Sequence, residues 1–461
     1  PGLGLVGGVG ELLLADLLLD ALDKLNDLVW TGIFLPCVLL CGLLLSLRSR
    51  FLQLRLFPAS LRQLTKGGRG DGVSPVQAAS TALASTLGTG NIVGTAQAIA
   101  MGGPGAVFWM WAAALLGMAV KFAEISLSVA TRRRDGAGYS GGPMYYIGSL
   151  GEKFRPLALM YALLAALSAF GIGNLSQISS AAGAVAGAAE KIAPELDPRQ
   201  LRLWLGVILT LTAWLILRGG AAGVGRAAER LVPSMAGLFL LLSLFVLCCH
   251  AQALPAALRA IVTGAFSPRT AVSGIGGFGT AQTIQWGLRR GAFSNEAGLG
   301  SSAIAHGSAA ARSPGEQGLW GIFEVFADTI VICTATALTI LCSGVGIPWG
   351  SSPGAELLLS AWETCIPAAP AACFMALSLL LFAFTSVLGW ALYGTQCVRF
   401  LWGEKAAAPY RLCFSLAITV GCLVSLRTVW AAADLLNGLM AIPNFIALFA
   451  LSGKAAKYAE M

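Results

Sequence analysis

Four clusters of polar residues interrupt an otherwise apolar chain, and each permits a particular chemistry. The first is STLGTGN, Ser85 to Asn91. Gly88 and Gly90 free the backbone to leave helical geometry, and Ser85, Thr86, Thr89 and Asn91 bring polar side chains. An unwound stretch inside a membrane exposes carbonyls that can bind a cation. A half-helix starting near Asn91 offers free N–H groups and a positive dipole end to a carboxylate. The second cluster runs from Ser273 through Gly274, Gly276, Gly277, Phe278 and Gly279 to Thr280, with Gln282, Thr283 and Gln285 behind it. The third is Phe384-Thr385-Ser386 with Trp390 one turn later. Adjacent hydroxyls suit a hard cation that takes oxygen ligands, with neighbouring carbonyls completing its shell. The fourth is Asn174 and Gln177, an i,i+3 pair on one helix face.

Each cluster also has a plainer reading. Gly, Ser and Thr favour tight packing between membrane helices, and an amide pair can be interhelical glue. Single hydroxyls commonly bond back to their own helical turn, and Trp390 serves equally as a cavity wall or a lipid-facing anchor. Lys121 and Glu124 are spaced to pair within one helix, while Glu324 and Asp328 form an acidic i,i+4 face. These ionisable residues read as structural or gating networks, with a proton relay as the other option.

The elements that position these clusters are membrane helices. The 461 residues are 56% hydrophobic and 11% charged, with a mean hydropathy of +0.76. A soluble protein carries about 25% charged residues, so too little polar surface exists to coat a globule. Eleven spans are expected, at about 27–47, 76–101, 105–130, 157–187, 201–218, 231–250, 269–288, 318–343, 370–398, 411–426 and 429–451. The second glycine-rich cluster lies five spans after the first and so crosses in the opposite sense. Two interrupted helices at corresponding positions of two five-span halves point to an inverted-repeat transporter. The expected organisation is an N-terminal segment with one extra span and a basic loop (1–73), a first repeat (74–265), and a second repeat with a short tail (266–461).

Alternate loops hold 22 basic residues on one side, Arg289 and Arg290 among them, against seven on the other. This bias places the N-terminus outside and the C-terminus in the cytoplasm, and it accounts for the net charge of +8 without nucleic acid. The first residue is Pro1, so the natural chain is expected to begin earlier. Residues 1–24 lack a basic n-region, so a cleaved signal peptide is not expected. The eleven cysteines include no CxxC pair and read as small hydrophobes. With His250 and His306 the only histidines and neither HExxH nor GxSxG present, an intramembrane enzyme is disfavoured.

With those residues in view, the chain resembles the alanine or glycine:cation symporter family from about residue 25 to 450. The runs that carry the resemblance are STLGTGNIVGTAQAIAMGGPGAVFWMW (85–111), GGPMYYI (141–147), FGIGNLSQ (170–177), RRGAFSNEAGLGS (289–301), EVFADTIVICTATAL (324–338) and AFTSVLGW (383–390). The resemblance implies an all-α leucine-transporter-type fold, 5+5 inverted repeats with broken core helices 1 and 6, preceded by one extra helix. It implies symport of sodium with small neutral amino acids, alanine and glycine foremost, across the plasma or inner membrane. Sodium would be the coupling ion, with no other cofactor and no obligate protein partner evident.

By position, the resemblance assigns sodium to the hydroxyls of Thr385 and Ser386 and the carbonyls of Ala84, Leu87 and Phe382. It assigns substrate to Gly88, Thr89, Gly90, Asn91, Gln177 and Trp390, with Gly276, Gly277, Gly279 and Thr280 in a second broken helix. Trp390 and Phe278 would limit the pocket volume. The FSNEAGLGS run, placed on the cytoplasmic side by the family and by the charges, has no role assigned by its residue types. The rivals are a proton-coupled carrier of the same architecture, for which no titrating span residue adjoins Thr385, and a channel, which has no use for two interrupted helices around one site.

Overall fold

In the computed structural model, which describes residues 17–64, 72–135, 138–266, 279–424 and 427–460, nine helices are long and apolar enough to cross a membrane. Two further crossings are built from half-helices, which together give the expected eleven among the described residues. The first crossing, α1, is Leu17–Arg48. The second, α2, consists of Pro75–Thr86 and Thr95–Gly102 joined through a π-helical turn at Gly90–Gly94. Ser74 starts it with a capping box, its hydroxyl accepting from Gln77 N at 3.1 Å while Gln77 Oε1 accepts from Ser74 N at 3.2 Å. The third and fourth crossings are α3 (Ala106–Thr131) and α4 (Glu152–Ile192), separated by a two-stranded hairpin, Arg133–Asp135 with Gly138–Ser140. Then come α5 (Pro198–Leu217) and α6 (Gly220–Cys249).

A short helix, Leu254–Phe266, follows α6. The seventh crossing, α7, is Thr280–Asn295 continued by Ser301–Gly307. The last four are α8 (Pro314–Cys342), α9 (Ala368–Trp402), α10 (Glu404–Leu423) and α11 (Arg427–Lys457). A short helix, Glu356–Glu363, lies between α8 and α9. Crossings α2–α6 and α7–α11 thus form two runs of five in which corresponding members pack together: α3 on α8, α4 on α9, α5 on α10. The halves of α2 and α7 pair crosswise, Pro75–Thr86 with Ser301–Gly307 and Thr95–Gly102 with Thr280–Asn295. This is the leucine-transporter-type 5+5 arrangement that the sequence predicts.

One crossing differs from expectation. Among the described residues the seventh crossing runs over 280–307 where 269–288 is expected, and a break falls at 296–300. Gly276, Gly277 and Phe278 lie outside the described residues, whereas Gly279 and Thr280 form an exposed helix start. The break uses backbone that L residues adopt reluctantly, with φ +55° at Glu296, +94° at Gly298 and +74° at Gly300. The FSNEAGLGS run is therefore the second helix interruption, buried in the bundle rather than in a cytoplasmic loop.

The shift also corrects the charge count. Arg289 and Arg290 lie within α7, and Arg289 pairs at 2.9 Å with Asp27 near the start of α1. They belong to the basic-poor end, so the bias loses two residues and keeps its sign.

At Gly298 a Cβ would sit 2.4 Å from Phe445 Cζ on α11, in addition to requiring positive φ. Gly298→Ala should cost about 1–2 kcal/mol from the backbone alone and lower the melting temperature followed by tryptophan fluorescence. Gly148→Ala, where a Cβ meets nothing within 4 Å, should melt near the parent. Equal melting of the two variants would mean that neither the positive φ nor Phe445 constrains position 298.

Candidate functional site

Three of the five oxygens expected for sodium, Ser386 Oγ and the Ala84 and Leu87 carbonyls, meet in the structure, while Thr385 Oγ1 and the Phe382 carbonyl meet each other within α9. Ser386 Oγ on α9 donates to the carbonyls of Ala84 (3.1 Å) and Leu87 (3.3 Å) on α2, and Thr385 Oγ1 reaches the Phe382 carbonyl at 3.1 Å. Thr385 also bonds to Leu381 O at 2.9 Å, the ordinary back-bonding of a helical hydroxyl. The convergence depends on α2 ending its first half here, because Leu87, with ψ +89°, turns its carbonyl out of the helical ladder. Gly88 is required by close approach: a Cβ would lie 2.9 Å from Ser386 Oγ and 3.0 Å from Gln177 Oε1. Ser386 Oγ and the Ala84 and Leu87 carbonyls are oxygens of the kind a hard cation takes, whereas Thr385 Oγ1 also lies 3.2 Å from Met235 Sδ on α6.

Beside these oxygens the first break folds on itself. Gly88 N donates to Asn91 Oδ1 at 3.0 Å, and Asn91 N donates weakly to Gly88 O at 3.3 Å. Thr89 donates through both N (3.1 Å) and Oγ1 (3.0 Å) to Gln177 Oε1 on α4. The Asn91 amide nitrogen gives 2.6 Å to Asp328 Oδ1 and 3.0 Å to Ser294 Oγ. Ser294 and Thr329 hydroxyls each donate to Asp328 Oδ2 at 2.8 Å. Asn91 is therefore a brace whose side chain turns away from the open cavity, and its own N–H is engaged rather than free as its sequence context suggests.

The second break has its own brace. Glu124 Oε1 on α3 accepts from Gly298 N (3.0 Å), Gly300 N (3.1 Å) and Asn444 Nδ2 (2.6 Å) on α11. Lys121 does not pair with it: among the described residues its buried Nζ meets no hydrogen-bond partner, although its charge acts on Glu124, Glu296 and Asp328. Glu324 and Asp328 separate likewise. Glu324 pairs with His306 at 2.5 Å, whereas Asp328 serves Asn91.

A vestibule of about 1280 Å³ opens from the basic-poor end and reaches Thr89, Gly90 and Gln177. Its floor is formed by Phe293, Ile172 and Gly90, and its rim carries Asp27, Lys191, Arg289 and Glu356. Beneath Phe293 a second space of about 20 Å³, the size of one water, is bounded by Gly88, Gln177, Ser294, Glu296 and Trp390. Trp390 is buried there, held against Gly173, where a Cβ would lie 2.3 Å from the indole. It is a cavity wall, not a lipid anchor.

The structure thus gathers Ala84, Leu87, Gly88, Thr89, Gly90, Asn91, Gln177, Phe382, Thr385, Ser386 and Trp390 into one region. Gly279 and Thr280 are not part of it. Phe293 borders both spaces, and Phe278 lies outside the described residues. Asn174 parts from Gln177 and bonds Phe414 O on α10 at 2.8 Å, the glue reading of that pair. Ser294 and Glu296 border the inner space although the sequence assigns them no role, and Glu124 and Asp328, expected as members of helix-face pairs, instead brace the two breaks. The signal for the first two is present all the same, since NEAGLG repeats the Asn and Gly-x-Gly grammar of GTGN.

Residues 15–461 match the family described as the sodium:alanine symporter family. The chain is 39% identical to an uncharacterized transporter of Haemophilus influenzae over 93% of both chains. It is 38% identical to the sodium/alanine symporter AgcS of Methanococcus maripaludis over 94% of both. Among solved structures it is similar to MhsT in complex with L-phenylalanine, with a TM-score of 0.55 at 15% identity, covering 85% of this chain and 99% of that one. That similarity concerns the fold.

The two braces make a crossed expectation for hydrogen exchange read by mass spectrometry. Asp328→Ala should speed exchange in peptides spanning 84–93, and Glu124→Ala in peptides spanning 293–301, each leaving the other break nearly unchanged. Unmade buried bonds cost about 1–3 kcal/mol each, so the affected peptides should exchange about tenfold faster or more. Identical patterns in the two variants would dissolve the assignment.

Proposed function

The chain belongs to the sodium:alanine symporter family, and from that premise we propose that it imports a small neutral amino acid together with sodium by alternating access. Alanine and glycine are the substrates proposed. The observation that carries the reading is the meeting of Ser386 with the Ala84 and Leu87 carbonyls, next to Thr385 in the chain, beside a helix break that the vestibule reaches. Sodium binds first among these oxygens. In doing so it displaces the Ser386 hydroxyl hydrogen from the two carbonyls and holds α2 to α9.

The amino-acid carboxylate then meets the backbone around Thr89 and Gly90, displacing or joining Gln177. The small space under Phe293 and beside Trp390 admits only a short side chain. Sodium and substrate share one helix break, so binding of each favours the conformation that the other needs.

The protein is placed in the plasma or inner membrane with its N-terminus outside and its C-terminus in the cytoplasm. This orientation is supported by the loop charges and puts the vestibule outside. Its working units are the repeats 74–265 and 266–461, after the N-terminal segment 1–73. A proton-coupled carrier is the second reading, favoured by the Asp328 carboxylate lying one hydrogen bond from Asn91.

Labelled alanine uptake into proteoliposomes should require an inward sodium gradient. Uptake driven by a pH gradient alone would transfer the proposal to the proton-coupled reading. Thr385→Ala removes one oxygen donor and should raise the sodium concentration for half-maximal uptake by about tenfold, equivalent to about 1.4 kcal/mol. Unchanged sodium dependence would place the ion elsewhere. Gly90→Leu should abolish alanine binding in correctly inserted protein, because its side chain would point toward Phe293.

A further inference from the structure

Just past the Glu356–Glu363 helix, which lines part of the vestibule, lies a pair of thiols that neither the ion oxygens nor the helix breaks use. Cys249 ends α6 and is exposed, and Cys365 is half-buried just past the Glu356–Glu363 helix. Cys249 precedes His250, whose ring reaches Cys365, and the two thiols act on each other electrostatically. His250 Nδ1 lies 3.5 Å from Cys365 Sγ and 3.1 Å from Val246 O, so a single Nδ1–H is shared between the sulfur and the carbonyl. Among the described residues no three His, Cys, Asp or Glu side chains converge as a metal site would need. What remains is thiol chemistry at a pair with an N–H donor on one sulfur.

The element beside this pair lines the vestibule. Gly354, Ala355, Glu356 and Leu359 form part of its wall, and Glu363 pairs with Lys191 at the end of α4. Trp362, fully buried, packs on Phe239 of α6 at 6.0 Å between ring centroids. The Glu356–Glu363 helix therefore bridges α4 and α6 at the mouth, and any narrowing of the mouth must move it relative to at least one of them.

We propose that Cys249 and Cys365 form a reversible disulfide that pins this outer helix to the end of α6 and holds the vestibule open. The oxidant is a low-molecular-weight disulfide. The Cys365 thiolate attacks one of its sulfurs, forming a mixed disulfide and releasing one thiolate. The Cys249 thiolate then displaces the second. The protein gains one S–S bond, the small disulfide becomes two thiols, and the two protein protons end on those leaving groups. A thiol reductant reverses both steps. His250 is a positioning residue whose N–H contacts the attacking sulfur.

The test uses the full chain in nanodiscs, equilibrated with glutathione disulfide, capped with a maleimide and digested for mass spectrometry. A peptide linking Cys249 to Cys365 is expected in the parent and absent in Cys249→Ser and Cys365→Ser. In His250→Ala it should form about tenfold more slowly, because the N–H contact that positions the Cys365 sulfur is lost. A link through Cys248 instead, or no intramolecular link, overturns the pairing. This readout is independent of transport, so its failure is distinguishable from failure of the proposed function. In proteoliposomes, oxidation should abolish uptake by the parent, dithiothreitol should restore it, and Cys249→Ser should be indifferent to both. A linked peptide with undiminished uptake overturns the pinning.

Discussion

Two buried carboxylates, each on an unbroken helix, hold the two broken ones, and the central architecture depends on that crossed brace. A helix interrupted in a bilayer leaves N–H and C=O groups that no water or lipid can satisfy, each costing several kcal/mol. Here the backbone of the α7 break is received by Glu124 on α3, and the α2 break is braced by Asp328 on α8 through Asn91. Because α3 and α8 are corresponding members of the two repeats and pack on each other, the braces are related by the same pseudo-symmetry as the breaks. Lys121, placed between them without a hydrogen bond of its own, acts electrostatically on both acids and on Glu296. A buried carboxylate is costly alone and is retained only when hydrogen-bonded or compensated by charge. Both conditions hold here.

The braces divide the helices into two sets. Asn91, Ser294, Asp328 and Glu124 tie α2, α3, α7 and α8 into one polar-linked group, while α4 packs on α9 and α5 on α10 in a second. Three polar contacts between the sets bear on transport. Ser386 reaches from α9 to Ala84 and Leu87, Gln177 from α4 to Thr89, and Tyr161 from α4 to Leu299 O at 3.0 Å. The first two lie at the oxygens proposed for the ion and at the cradle proposed for the amino acid. Ligands bound there sit in the seam and change the strength with which one set grips the other. That is the physical content of coupling in such a carrier.

The sequence made the frame legible because bilayer thickness imposes it. Span lengths, an odd crossing number and the GTGN break follow from hydropathy and glycine alone, and ten of the eleven crossings overlap their expected limits closely. The seventh is harder to read because, among the described residues, the chain turns where Glu124 accepts the freed N–H groups. That partner is 174 residues away for Gly298, and no spacing rule connects them. The pairing of Glu124 with Lys121 fails for the same reason: helical proximity supplies a neighbour, but two backbone N–H groups and an amide supply a better fit to one oxygen. Thr385 and Ser386 are readable because adjacent hydroxyls on one helix carry their geometry with them. Cys249 and Cys365 are not, because only the fold brings those elements together.

The closed end of the molecule follows from the same economy of polar groups. Opposite the vestibule, Ser128 Oγ donates to Ala303 O at 2.6 Å, Arg132 donates to the carbonyls of Ala309 and Ala311, and Gln317 bridges His306 and Pro75 O. Most of these bonds end on backbone carbonyls in or just after the second half of α7, which stays packed against the first half of α2. Side chains that grip backbone carbonyls can let go and be replaced by water at small net cost, since a typical exchanged hydrogen bond is worth about 0.5–1.5 kcal/mol. The carboxylate braces deeper in the bundle have no such replacement. Opening the end opposite the vestibule is therefore cheaper through the Arg132, Ser128 and Gln317 contacts than through either brace, and the broken helices would move with α3 and α8 rather than away from them.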